Sequence, residues 1–258
     1  MCVDTIRIIS IILVVILLSA FLFIYASADL VIAEKTFNST IIIPDKVDSI
    51  IIYFHSHCNF PHSNGRTPRS PYNFQEDIAH SISISNPSSI VVVAKYDGED
   101  LLERICELIL QYKPSNIVFS GWSAGGSDAI IAASYYLSRE VPVCSDTHIL
   151  LIDANHTNEV KIADIDTIAD YGVDIYYTTY VMSKSKLRVM SNIISREIPI
   201  VFWMLDIPDG FRGSPHIHCR NAAFDFELYS CILNETDPPD NYTSGGYDYE
   251  VGDAVFGE

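Results

Sequence analysis

The run Asn116-Ile-Val-Phe-Ser-Gly-Trp-Ser-Ala-Gly-Gly-Ser127 leaves the chain few choices. Ile117-Val-Phe119 is β-branched and aromatic, which predicts a buried strand. Ser127 to Arg139 is rich in alanine and places Ile130, Ala133 and Leu137 on one helical face. Only Gly121-Trp122-Ser123-Ala124-Gly125 separates the two, so a strand must reverse into a helix within about one turn. Glycines on either side of Ser123 suit that reversal, because a side chain at those positions would collide with the returning backbone. The competing reading is a tight glycine-rich turn with no chemistry.

The rest of the chain alternates strands and helices around this turn. Val31 to Ile43 holds short β-rich runs that end at Pro44-Asp45, and Ser49 to His55 resumes as a buried strand, a hairpin leading into a sheet. His55 to Pro71 is a long polar loop punctuated by glycine and proline. A helix follows over Phe74 to Ile84, then a strand over Ser89 to Ala94 and an amphipathic helix over Glu99 to Tyr112. Beyond the turn come strands at His148–Ile152, Val173–Val181 and Ile198–Leu205, with helices at Lys161–Ala169, Leu187–Arg196 and Asn221–Leu233. The simplest arrangement is α/β: a doubly wound, mostly parallel sheet with helices on both faces.

The two ends read differently. Ile8 to Tyr25 is almost unbroken apolar sequence with Arg7 before it and Ala26-Ser27-Ala28 after it. That predicts an N-terminal signal anchor or signal peptide over 1–28, favouring an uncleaved anchor. The remainder would then be a membrane-anchored extracytoplasmic domain, or secreted if cleaved after Ala28. Residues 29–235 form one folded domain on this reading, and 236–258, acidic and poor in aliphatics, a disordered tail. A net charge of -17 argues against a nucleic-acid partner. Cys2 precedes the apolar run, leaving Cys58, Cys106, Cys144, Cys219 and Cys231, an odd set that fits an oxidising compartment with at least one thiol unpaired. Sequons at Asn38, Asn155, Asn234 and Asn241 predict a glycoprotein where the host glycosylates secreted chains.

Gly121-x-Ser123-x-Gly125, set between a strand and a helix, resembles the nucleophile elbow of the α/β-hydrolase superfamily, and the order of elements over roughly residues 31 to 235 is similar to that fold. The resemblance implies a serine hydrolase, esterase- or lipase-like, with an oxyanion loop after the third strand and a triad in the order Ser, acid, His. Ser123 would be the nucleophile and the Ala124 N–H the first oxyanion donor. The second donor falls in His55-Ser56-His57-Cys58, with the His57 N–H as candidate. The histidine is expected in the loop after the last strand, where His216 and His218 both stand; His218 is preferred because it lies nearer the closing helix. The superfamily's usual acid position, after Val173–Val181, holds no carboxylate; the resemblance to lipase-like members that draw the acid from the end of the preceding strand implies Asp153, with Asp206 and Asp174 as alternatives. Arg66 and Arg69 suit an acidic substrate group, and Cys58 and Cys219 adjoin the two functional loops closely enough to suggest a bridge.

These readings lead to a carboxylic ester hydrolase working through an acyl-enzyme on a small-molecule or lipid ester, with no cofactor and no metal. Two alternatives stay open. One is a catalytically inactive hydrolase-fold surface binding protein. The other is a metal-dependent hydrolase, in which His55-x-His57 and His216-x-His218 join Asp97, Asp153 or Asp206; a histidine pair after a strand resembles metal-dependent amidohydrolases.

Overall fold

The computed structural model describes residues 32–36, 39–55, 75–139, 146–154, 160–181, 191–209, 211–225, 227–248 and 253–256. The apolar run at 8–25 lies outside them, and among the described residues no helix is long and apolar enough to cross a membrane. The strands are β1 (Ile32–Lys35), β2 (Ser39–Ile42), β3 (Ser49–Phe54), β4 (Ser89–Ala94), β5 (Asn116–Trp122), β6 (Asp146–Ile152), β7 (Asp174–Thr179), β8 (Ile200–Leu205), β9 (Tyr242–Asp248) and β10 (Asp253–Phe256). The helices are α1 (Gln75–Ser85), α2 (Glu99–Tyr112), α3 (Gly125–Leu137), α4 (Ile162–Asp170), α5 (Ser191–Ile194), α6 (Pro215–Asp225) and α7 (Leu228–Leu233).

All these strands join one sheet in the order β1-β2-β4-β3-β5-β6-β7-β8-β9-β10. The centre, from β4 to β8, is parallel. Its two strands nearest the reversal of order, β3 and β4, are buried at every residue. That is what helices on both faces demand of a parallel sheet, and why Ser49-Ile-Ile-Ile-Tyr-Phe54 reads as a continuous apolar run rather than an alternating one. Ile50, Ile52 and Phe54 turn to the face covered by α2 and α3, where Leu102, Ile105, Ile109, Ile130 and Ala133 join the same apolar cluster. Tyr53 turns the other way, its ring edge-on to Phe224 of α6 with centroids 5.2 Å apart. On that second face the Ser120 hydroxyl of β5 lies 3.1 Å from the Ile52 carbonyl, to which it donates, and 2.8 Å from the Tyr229 hydroxyl of α7.

Three expectations change. The first hairpin, β1–β2, enters the sheet beside β4 rather than β3, running antiparallel to it. The segment after β8 is not an extended loop: a helix starts at Pro215, so His216 and His218 lie in its first turn, and the closing helix is two elements, α6 ending at Asp225 and α7 starting at Leu228. Proline at the start of a helix is favoured because its missing N–H has no helical acceptor to lose. The tail read as disordered supplies β9 and β10 instead. β9 pairs antiparallel with β8 from Leu205↔Tyr242 to Val201↔Gly246, and β10 pairs with β9. An open β8 edge of unpaired amides explains the pairing, and Tyr242 is buried by it.

At the start of β6, His148 is buried and its Nδ1 lies 4.0 Å from Asp174 Oδ2. Burial pushes its imidazole below the ordinary value, outweighing the opposite pull of Asp174, Asp146 and Glu235. The unfolded chain therefore takes up this proton at a higher pH than the native one, and the stability His148 contributes is present above about pH 6.5 and lost as pH falls below it. Urea midpoints measured at pH 7.5 and 5.5 are expected to fall less steeply with pH in His148→Gln than in the parent chain. Ending the chain at Asn241 should cost about 3 kcal/mol or more in urea denaturation, from the lost Tyr242 burial and the reopened β8 edge; a neutral truncation would mean the tail plays no part in the fold.

Candidate active site

The turn after β5 is shaped by close backbone approach. A side-chain carbon on Gly121 would lie 1.9 Å from the Gly125 carbonyl oxygen, and one on Gly125 would lie 2.2 Å from the Phe54 carbonyl oxygen of β3. Any other residue at either position would have to push backbone aside. Between them Ser123 takes a φ of 56°, a left-handed conformation that costs a non-glycine residue energy. Its N–H still extends the sheet ladder, donating to the Ile152 carbonyl at 3.1 Å. The helix starts at once, with Gly126 N–H on the Ser123 carbonyl and Ser127 N–H on the Ala124 carbonyl. Ser123 and Ala124 are half-buried at the head of α3, where the free N–H groups and the helix dipole favour negative charge.

Asp153 occupies the equivalent place on the neighbouring strand. It follows β6 directly, also in the left-handed region with a φ of 42°, and is 1% exposed. Its N–H donates to the Thr178 carbonyl of β7 at 2.7 Å. The two carboxylate oxygens are engaged separately. Oδ1 accepts the Thr179 hydroxyl at 2.7 Å, and Oδ2 lies 2.5 Å from His216 Nδ1, which donates to it. Tyr177 donates its hydroxyl to the Ala154 carbonyl at 3.0 Å, and burial together with the Asp153 charge pushes that phenol well above its ordinary value, so it remains a donor.

His216 is held by the residue preceding Ser123. Its ring stacks on Trp122 with centroids 4.6 Å apart at 30°, and Trp122 Nε1 donates to the His216 carbonyl at 3.1 Å. One turn further along α6, the buried Arg220 guanidinium lies 4.9 Å from the centre of the Trp122 ring. With Nδ1 occupied by a carboxylate, Nε2 is the nitrogen left to exchange a proton with a hydroxyl.

Of the residues singled out by sequence, the structure brings Asp153 and His216 together beside the Ser123 turn. It does not bring His218 there. Two positions along a helix are about 200° apart, and the His218 ring lies 4.7 Å from Phe211 instead. Asp206 is exposed at the end of β8, with its N–H on the Asn241 carbonyl, and Asp174 begins β7 at the opposite edge of the sheet. His57, Cys58, Arg66, Arg69 and Asn155 lie outside the described residues; Cys219 is buried in α6. His55 is buried and its Nε2 lies 3.1 Å from Gln75 Nε2, and among the described residues no three His, Cys, Asp or Glu side chains gather as a metal-binding group. Sequence reasoning missed Thr179 and the part played by Trp122. Thr179 ends the strand after which an acid was sought, and Trp122 was read only as a variable position of the turn.

No protein-family model matches the chain, and no curated protein matches its sequence. Among solved structures it is similar to a proposed esterase from Staphylococcus aureus, at 14% identity over 82% of this chain and 84% of that one, with a TM-score of 0.46. It is also similar to a hormone-sensitive lipase from a metagenome library, at 11% identity over 65% of this chain and 69% of that one, TM-score 0.39. A third is the thioesterase domain that cyclises the lipopeptide antibiotic surfactin, at 17% identity over 74% of this chain and 95% of that one, TM-score 0.40. At such scores these likenesses decide nothing about the site.

The glycine contacts make a direct prediction. Gly121→Ala should destabilise the protein by about 3 kcal/mol in urea denaturation, whereas Gly246→Ala, which has nothing within 4 Å of its added carbon, should change it by about 0.5 kcal/mol or less.

Proposed function

We propose that the protein is a serine hydrolase acting on carboxylic esters, with Ser123 as nucleophile, His216 as general base and acid, and Asp153 as the acid of the triad. The observation that carries the reading is the 2.5 Å contact of Asp153 Oδ2 with His216 Nδ1, made beside a serine in a left-handed turn at the head of a helix. A carboxylate on Nδ1 fixes the tautomer in which Nε2 can accept a proton, and it stabilises the imidazolium that results. Ser123 Oγ attacks the carbonyl carbon as its proton passes to His216 Nε2. The carbonyl oxygen becomes an oxyanion against the Ala124 N–H, with the His57 N–H as the second donor implied by the superfamily resemblance. Collapse of the tetrahedral intermediate breaks the ester C–O bond, and His216 returns the proton to the departing alkoxide. Water, deprotonated by His216, then releases the acid and restores Ser123. The substrate is a small-molecule or lipid ester. The apolar run at 8–25 would place this activity outside the cytosol, anchored to the membrane or secreted.

The reading is tested with a fluorophosphonate probe, which bonds covalently to activated serines, and mass-spectrometric mapping of the adduct. The folded protein should be labelled on Ser123, and Ser123→Ala should abolish it. His216→Ala should slow labelling by about 100-fold or more, while His218→Ala should stay near the parent rate. Failure of the folded chain to react would sink the hydrolase reading in favour of an inactive binding protein; dependence on His218 instead of His216 would overturn the histidine assignment alone.

A further inference from the structure

The end of β7, where the superfamily resemblance leads one to look for the acid, is built around the acid of β6. Three consecutive residues of β7 each bond to the two residues after β6. Tyr177 donates its hydroxyl to the Ala154 carbonyl, the Thr178 carbonyl accepts the Asp153 N–H, and the Thr179 hydroxyl reaches Asp153 Oδ1 at 2.7 Å. Thr179 is fully buried. Its hydroxyl also lies 3.3 Å from the Val181 carbonyl, so the shorter, charge-assisted bond to the carboxylate is the stronger of the two.

A carboxylate can turn about its Cβ–Cγ bond, and that torsion is broad. Backbone bonds at Asp153 N and Ala154 O fix where the residue sits but leave this rotation free. Oδ2 can meet His216 Nδ1 at 2.5 Å only over a narrow part of it. A donor on Oδ1 selects that part. Thr179 supplies one from a β-branched side chain whose χ1 is itself restricted.

We propose that Thr179 is a positioning residue for the triad: its hydroxyl sets the rotation of the Asp153 carboxylate and, through it, the orientation and proton of His216. The proposal rests on the serine-hydrolase reading for its effect on turnover, but not for its effect on the Asp153–His216 hydrogen bond, and the two can be measured apart.

The test compares Thr179→Val, which keeps the shape and removes the donor, with Thr179→Ser, which keeps the donor, in the full chain. With p-nitrophenyl acetate as substrate, Thr179→Val should lower kcat by about 10- to 100-fold, as expected for loss of a hydrogen bond to a charged group, and leave KM within about twofold. Thr179→Ser should stay within about threefold of the parent in both. In an Asp153→Asn background Thr179→Val should have little further effect, because the hydroxyl acts through the carboxylate. A readout independent of turnover is the low-field proton resonance of His216 Nδ1–H, assigned by its disappearance in His216→Gln. It should shift or broaden in Thr179→Val and persist in Thr179→Ser. An unchanged resonance and kcat in Thr179→Val would overturn the proposal, as would an equal loss with Thr179→Ser or an undiminished loss in the Asp153→Asn background. A resonance that depends on Thr179 in a protein with no esterase activity would uphold the positioning role and sink the proposed function instead.

Discussion

The backbone of Gly121 and the carbonyl of Gly125 approach so closely that no side chain fits between them, and the site depends on that contact. It lets β5 turn into α3 with no connecting loop, forces Ser123 into the left-handed region, and brings Gly125 against the Phe54 carbonyl of β3. Three strands are thereby tied at one point: β5 through the turn, β3 through Gly125, and β6 through the Ser123 N–H on the Ile152 carbonyl. The strain at Ser123 is supported by α3, whose buried face of Ala129, Ile130, Ala133 and Leu137 is locked against the sheet. A left-handed serine persists only where the surroundings over-determine it, and here they do.

A parallel sheet delivers all its C-terminal strand ends to one edge, which is why loops there collect functional groups. The same logic repeats one strand over. Asp153 leaves β6 in a left-handed conformation as Ser123 leaves β5, and both continue the ladder by one hydrogen bond to the next strand. Aspartate tolerates that conformation better than most residues. Its charge is buried, which is costly unless every oxygen is engaged; His216 and Thr179 meet that requirement from opposite sides.

Much of this was legible in the sequence because its determinants are local. The strand Ser89–Ala94 and the helix Glu99–Tyr112 have the limits that periodicity and Pro114 indicate, and the elbow was defined by five adjacent residues. The superfamily resemblance points to Asp153 at the end of β6, and there its carboxylate lies 2.5 Å from His216 Nδ1. What escaped was decided by distant partners. The choice between His216 and His218 turns on Trp122, some ninety residues earlier in the chain, whose ring and Nε1 select one face of α6. That α6 is a helix from Pro215 had a local signal, the proline itself, but Gly213-Ser-Pro reads equally as a loop. The strand β9 escaped because Gly245 and Gly246 and its acidic neighbours resemble an unfolded tail; its order comes from the β8 edge, which no local pattern of the tail encodes.

On the proposed reading, an acid on β6 rather than β7 changes what must be held in place. Ser123 and Asp153 sit at the ends of adjacent strands joined by ladder hydrogen bonds, so their separation follows from strand spacing and hardly depends on loops. The histidine has no such tether. It sits on a helix whose place is set by packing on the second face of the sheet, and an error in that packing would move the imidazole relative to both partners. Trp122 removes much of that freedom because it belongs to the elbow itself: the strand end that fixes Ser123 also presents the ring on which His216 stacks and the N–H that its carbonyl accepts. Arg220, buried against the same indole one turn later, extends the contact along α6 and favours the aromatic face over solvent. The residue before the serine thus couples the helix to the sheet at the turn itself, alongside the Tyr53–Phe224 contact deeper on the same face.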